Sequence, residues 1–124
     1  GHLKLKNLVV LFDNNSISID GPTNLATSDN YKKRFESYGW NYIEINGHNE
    51  KQILKALKKV QKSKIPSLIS CKTIIGYGSP NKSGKASSHG SPLGEEEINL
   101  VRKKLNGNIK NLKSQKRYWN NGEK

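Results

Sequence analysis

Three short strand-like runs, at residues 8–12, 40–45 and 68–71, alternate with two stretches of helical periodicity, and this alternation limits what the chain can fold into. Strand, helix, strand, helix, strand with helical crossovers requires an α/β fold with a parallel or mostly parallel sheet. The first run, Leu8-Val9-Val10-Leu11-Phe12, is continuously apolar, as a strand buried on both faces of such a sheet would be. Asp13, Asn14, Asn15 and Ser16 follow it as turn formers. In an open parallel sheet that places them at the carboxyl end of a strand, where ligands bind. Residues 17–20 alternate briefly, and Gly21-Pro22 then turns the chain.

The helices carry their own punctuation. Thr27, Ser28 and Asp29 are N-cap candidates for a helix over roughly 29–38, with Tyr31, Phe35 and Tyr38 on one face and Gly39 closing it. Asn49 and Gln52 have capping-box spacing at the start of a second helix. Its apolar side is Ile53, Leu57 and Val60, with Leu54 and Ala56 alongside, and its lysines fall mostly on the other face, as in a solvated amphipathic helix. A third helix begins at Glu95-Glu96-Glu97 and ends at Arg102-Lys103-Lys104, charges that complement the helix dipole at both ends. Ile98, Val101 and Leu105 give its apolar side, and beyond Leu105 the signal fades into a basic tail over 106–124.

Between the third strand and the third helix runs residues 72–94, KTIIGYGSPNKSGKASSHGSPLG, with five glycines, two prolines and His89. A connection this long without periodicity is either a functional loop or a linker. Composition leaves that choice open.

At 124 residues the chain is one domain at most, and 32% hydrophobic residues make its core lean. The formal charge is +12, from 22 basic against 10 acidic residues, but only Arg34, Arg102 and Arg117 are arginines. Nucleic-acid recognition favours arginine's planar fork and a basic stripe interleaved with aromatics; arginines are few here and no such stripe is present, so no nucleic-acid partner is expected. No segment approaches the about 18 apolar residues of a membrane helix, and no signal peptide opens the chain. The single cysteine, Cys71, lies in an apolar run and reads as a small buried hydrophobe in a reducing, cytoplasmic setting.

Two residues could carry chemistry on their own account. Asn15 offers a hard, neutral carbonyl oxygen of the kind Mg²⁺ or Ca²⁺ accepts, or it is simply part of a turn. His89, flanked by Ser88 and Gly90, can donate to a phosphate or carry a proton near neutral pH, or it is a solvated loop histidine. His2, near the terminus, and His48, in a turn, have weaker claims. The sequence contains no metal-binding His/Cys spacing, no Walker loop and no GxSxG elbow.

Taken in series, several segments resemble the transketolase family. They are residues 1–5 (GHLKL), 11–21 (LFDNNSISIDG), 34–40 (RFESYGW), 47–49 (GHN), 71–82 (CKTIIGYGSPNK) and 89–94 (HGSPLG). The resemblance covers residues 1–105, in order, and implies an internal piece of the amino-terminal, diphosphate-binding domain, with a partial thiamine-diphosphate-binding fold. Transketolases use thiamine diphosphate and a divalent cation, Mg²⁺ or Ca²⁺, to move a two-carbon ketol unit between sugar phosphates. The resemblance implies that Asn15 closes the family's cofactor motif and binds the cation, with the backbone carbonyl of Ile17 as a second ligand. It implies that Ile75 packs near the cofactor, and that His89 lies beside the cofactor diphosphate and the bound sugar as a catalytic and substrate-binding residue.

The same resemblance implies a homodimeric parent enzyme and a chain that is catalytically silent alone. The family's Gly-Asp-Gly half-motif would lie upstream of Gly1, and the pyrimidine-binding domain with its activating glutamate elsewhere. Ala86 stands where family members often have a second histidine, and Gly107 where an aromatic is common. Dihydroxyacetone synthase and deoxyxylulose-phosphate synthase are related alternatives, and a basic nucleic-acid-binding module is the alternative from another class.

Overall fold

The computed structural model describes residues 1–107. In chain order the elements are β1 (Val9–Asn14), β2 (Ile17–Ser18), β3 (Gly21–Pro22), α1 (Tyr31–Ser37), β4 (Asn41–Asn46), α2 (Glu50–Val60), β5 (Ser67–Lys72) and α3 (Glu95–Lys104). The expected α/β architecture is present: β1, β5 and β4 form a parallel sheet in that order, so the last strand is inserted between the first two.

Side chains alternate across the sheet, and the two crossover helices take opposite faces. Val9, Ile43, Ile45, Ile69 and Cys71 point toward α2, where Ala56 and Val60 complete a small core with Ile53. On the other face Phe12 meets Tyr31 of α1 edge-to-face at 5.0 Å, and Phe35 packs against Trp40 at 5.5 Å.

Burial corrects the expectation for the first strand. β1 is an edge strand here, with Leu11 63% exposed, and the fully enclosed strand is β5, whose Leu68 and Ile69 are 2% and 0% exposed. Full burial of such a side chain is worth about 1.5–3 kcal/mol, so β5 contributes more to this sheet than the more hydrophobic β1. On α2, likewise, Leu54 and Leu57 are exposed, and the buried positions are Ala56 and Val60. Leu105, the residue that closes α3, is exposed, while Glu97 in its first turn is buried.

Local chemistry explains several element ends. The N-cap of α1 is Asn30, whose side chain accepts from Lys33 N at 2.9 Å; Asp29, one residue earlier, pairs with Arg34 instead. Asn49 caps α2 by accepting from Gln52 N at 3.1 Å. Gln52 does not return the bond to Asn49 N, because that N–H already donates to Asn46 O; its Oε1 takes Asn46 N at 2.8 Å. Gly21-Pro22 forms a strand of the small β2–β3 hairpin, so the turn falls on Ile19-Asp20. The tail from residue 108 onward lies outside the described residues.

Candidate functional site

The parallel register puts Asn14, Lys72 and Asn46 in one row at the carboxyl edge of the sheet. Three loops leave from that row: Asn15-Ser16 from β1, Gly47-His48 from β4 and Thr73-Ile74-Ile75 from β5. They surround a cavity of about 680 Å³, lined from β1 by Asn14 and Ser16, from β4 by Asn46 and His48, and from β5 by Lys72 and its loop. This is where an open parallel sheet binds its ligands.

The β1 loop is a tight Asx turn. Asn15 Oδ1 accepts from Ile17 N at 3.0 Å, and Ser16 sits in the left-handed region at φ 62°. That bond fixes the Asn15 side chain and uses one of the two lone pairs on its oxygen. Thr23 N donates to Ser16 O at 3.0 Å, and Ile17 stands opposite Pro22. In the alternating pattern of an antiparallel pair, Ile17 is therefore at a position whose N–H and C=O face away from the partner strand. Its N–H goes to Asn15, and its carbonyl is directed outward. The turn thus holds two hard, neutral oxygens, the Asn15 side-chain oxygen and the Ile17 backbone carbonyl, of the kind a Mg²⁺ or Ca²⁺ coordination sphere uses. Among the described residues no group of three His, Cys, Asp or Glu side chains could hold a metal ion.

Asp13, two residues before Asn15, accepts a hydrogen bond from Thr73 Oγ1 and ties the β1 loop to the β5 loop. Cys71 is only partly buried, and that burial, with the Asp13 charge second, pushes its thiol up from its ordinary range. His48 has a larger part than its turn position suggested. Its Nε2 accepts from Ile74 N at 2.9 Å, and its ring stacks on Tyr77 at 4.0 Å and 19°. Its sequence signal was slight: a histidine between two turn residues just past a strand.

His89 and Ile75 are both half-buried and both belong to the long loop. The cavity above is lined by the neighbouring Ile74 rather than by Ile75, and His89 is not among its lining residues. The loop has internal order of its own. Gly84 N donates to Ile75 O at 2.8 Å, Ser88 Oγ donates to Lys82 O at 2.6 Å, and a short 3₁₀ turn over Ala86–Ser88 leads into His89. Gly76 has φ +62°, and a Cβ built on it would stand 2.8 Å from Ser88 Oγ. Residues next to Ile75 and next to His89 therefore touch, and the loop brings these two segments together.

Glu97 was missed in the sequence, where three glutamates at a helix start are explained by the dipole alone. Only 7% exposed, its carboxylate accepts from Ser79 Oγ, from Asn81 N at 2.8 Å and from Asn81 Nδ2 at 2.9 Å. The Ser79 and Asn81 hydrogen bonds hold its pKa down to about 2.

Comparison with known proteins fits this fold. The family model "Transketolase, thiamine diphosphate binding domain" matches residues 1–117. A transketolase of Buchnera aphidicola is 50% identical over 110 residues, which is 87% of this chain and 16% of that protein. A crystal structure of transketolase from Campylobacter jejuni superposes with a TM-score of 0.84 at 42% identity, over 86% of this chain and 17% of that one. Transketolase of Pichia stipitis in complex with sedoheptulose-7-phosphate superposes with a TM-score of 0.80 at 35% identity, over 86% and 16%. The chain thus spans about one sixth of the length of the relatives it matches. It belongs to the transketolase family, within the thiamine diphosphate binding domain.

Proposed function

We propose that residues 1–105 are part of the diphosphate-binding domain of a homodimeric, cytoplasmic transketolase, and that they hold one side of thiamine diphosphate and its divalent cation. The observation that carries the reading is the Asn15–Ile17 turn at the carboxyl edge of the sheet, which presents two hard oxygens where a bound diphosphate would need a cation. Asn15 Oδ1 and the Ile17 carbonyl would hold Mg²⁺ or Ca²⁺ together with diphosphate oxygens. When bound, thiamine diphosphate supplies the carbanion chemistry of two-carbon ketol transfer.

The chain's own residues orient and exclude water. The Ile17 N–H fixes the rotamer of Asn15, so the ligand oxygen is placed before the cation arrives. Ile75 offers an apolar contact to the cofactor. His89, presented by its short turn, would donate to the cofactor diphosphate or to a hydroxyl or phosphate of the bound sugar. Sugar phosphates as substrates are supported by the Pichia stipitis relative, solved with sedoheptulose-7-phosphate.

Two measurements test this reading. Isothermal titration of this chain alone with thiamine diphosphate and Mg²⁺ should give at best weak binding and no ketol transfer. Robust micromolar binding or turnover by the chain alone would overturn the half-site assignment. In the full-length protein, Asn15→Ala should lower cofactor affinity in a cation-dependent way, and His89→Ala should impair turnover or sugar affinity. Unchanged kinetics in both variants would sink the residue assignments.

A further inference from the structure

Resting on the reading of His89 given above, we propose that Glu97 is a positioning residue, whose buried carboxylate sets the segment carrying Ile75 and His89. Three donors converge on it from a stretch 16 to 18 residues earlier: the Ser79 hydroxyl, and the backbone and side-chain amides of Asn81. Ser79 Oγ, whose hydroxyl donates to Glu97, accepts from Lys82 N at 3.0 Å, so the carboxylate also orients the next backbone amide. Lys82 then reaches both ways. Its carbonyl accepts from Ser88 Oγ at 2.6 Å, one residue before His89, and its ammonium donates to Leu93 O at 2.9 Å, four residues after it.

Ser88 in turn lies against Gly76, next to Ile75. The path from Glu97 to the candidate site is therefore a continuous set of hydrogen bonds and one close contact. Glu97 itself lies on α3, outside the cavity at the sheet edge. It acts through Ser79, Asn81 and Lys82 and has no direct part in chemistry. The low pKa fits this role, because the ionised form is the one that can accept from all three donors at once.

Glu97→Gln in the full-length protein tests the proposal, because an amide nitrogen then faces the Asn81 Nδ2 donor. Amide hydrogen exchange at Asn81, Lys82 and His89 should accelerate about tenfold or more, while the β5 amides stay protected. The turnover number and the affinity for thiamine diphosphate should fall and the His89 imidazole resonances should shift, with the Mg²⁺ dependence of cofactor binding unchanged. Adding Asn81→Asp to Glu97→Gln reverses donor and acceptor, and should restore both exchange protection and turnover. Accelerated exchange with unchanged turnover and unchanged His89 resonances would reduce Glu97 to a structural residue and overturn the proposal, as would failure of the swap to restore turnover. If Glu97→Gln does not fold, Asn81→Ala, at an exposed position, gives the same readouts with the same deciding outcomes. His89→Ala with full activity would instead refute the site reading, while the exchange data would still decide whether Glu97 holds the segment.

Discussion

Gly47 is where the β4 loop passes closest to β5, and replacing it with alanine has a calculable cost. A Cβ built there stands 2.5 Å from Thr73 Cγ2, 3.1 Å from Lys72 O and 3.2 Å from Cys71 Cβ. Ordinary carbon contacts lie at about 3.5–4.0 Å, so the threonine methyl has to move by about 1 Å or more. It is poorly placed to do so. Thr73 Oγ1 is bonded to Asp13, and Lys72 O accepts from Gly47 N at 2.7 Å, which pins the two strand ends together. Relief therefore means breaking the Asp13 bond or parting the ends of β4 and β5, and overpacking of this kind costs about 1–3 kcal/mol. Urea unfolding of the full chain should show Gly47→Ala destabilised by that amount. Thr73→Ser removes the clashing methyl and keeps the hydroxyl for Asp13, leaving only contacts that yield by a few tenths of an ångström. In a double-mutant cycle the Thr73→Ser background should recover about 1 kcal/mol of the Gly47→Ala loss. A Gly47→Ala effect below about 0.5 kcal/mol, or no recovery in the cycle, would refute the steric reasoning.

The central strand and the buried carboxylate give two further tests. Ile69, 0% exposed and flanked by Leu11 and Ile43 in the register, should lose about 2–5 kcal/mol on Ile69→Ala and about 0.5–1.5 kcal/mol on Ile69→Val, read from the same urea midpoints. Near-equal losses for the two would mean that the site collapses around the deletion. For Glu97, the folded pKa of about 2 lies below the ordinary 4.5, so its stabilisation of the loop is fully present above about pH 4.5 and is lost as pH falls through 2. Carbon-13 NMR of the Glu97 carboxyl should titrate near 2, and a midpoint near 4.5 would show that the three hydrogen bonds are not formed in solution.

Hydrophobic periodicity made the element inventory legible, because it is local. The Ile53–Val60 spacing, the Asn49 cap and the acidic start of α3 each lie within a few residues of what they determine. Strand order is not local, and there the pattern misled. Leu8-Val9-Val10-Leu11-Phe12 is the most apolar run, yet β1 takes an edge; Ser67-Leu68-Ile69-Ser70, half of it serine, takes the centre. Centrality is decided by which strand both others pair with, and two small hydroxyl side chains fit an enclosed position without demanding volume. One of them, Ser67, also accepts from Asn41 Nδ2 at 3.2 Å, a pairing across 26 residues that no window on the sequence contains. Asn15 could be located from its place after a strand, but its orientation depends on the Ile17 amide and on Ser16 adopting a positive φ.

The long loop shows why the remainder of the site escaped a reading by apolar pattern. Residues 72–94 hold too few large apolar side chains to fold by burial, and by that criterion they resemble a linker. What orders them is saturation of polar groups. Glu97 absorbs three donors, Ser79 Oγ both donates and accepts, and Lys82 is engaged at its amide, its carbonyl and its ammonium. Such a segment fails differently from a core. Trimming a methyl from it costs little, but removing one partner strands a donor or acceptor that the others had satisfied, so single polar substitutions propagate. The loop should therefore open as a unit, upon loss of Glu97's charge, while the sheet that carries the Asn15 turn stays closed. On the proposed reading, cation binding at Asn15 and placement of His89 would then be separable properties of one chain, each with its own structural support.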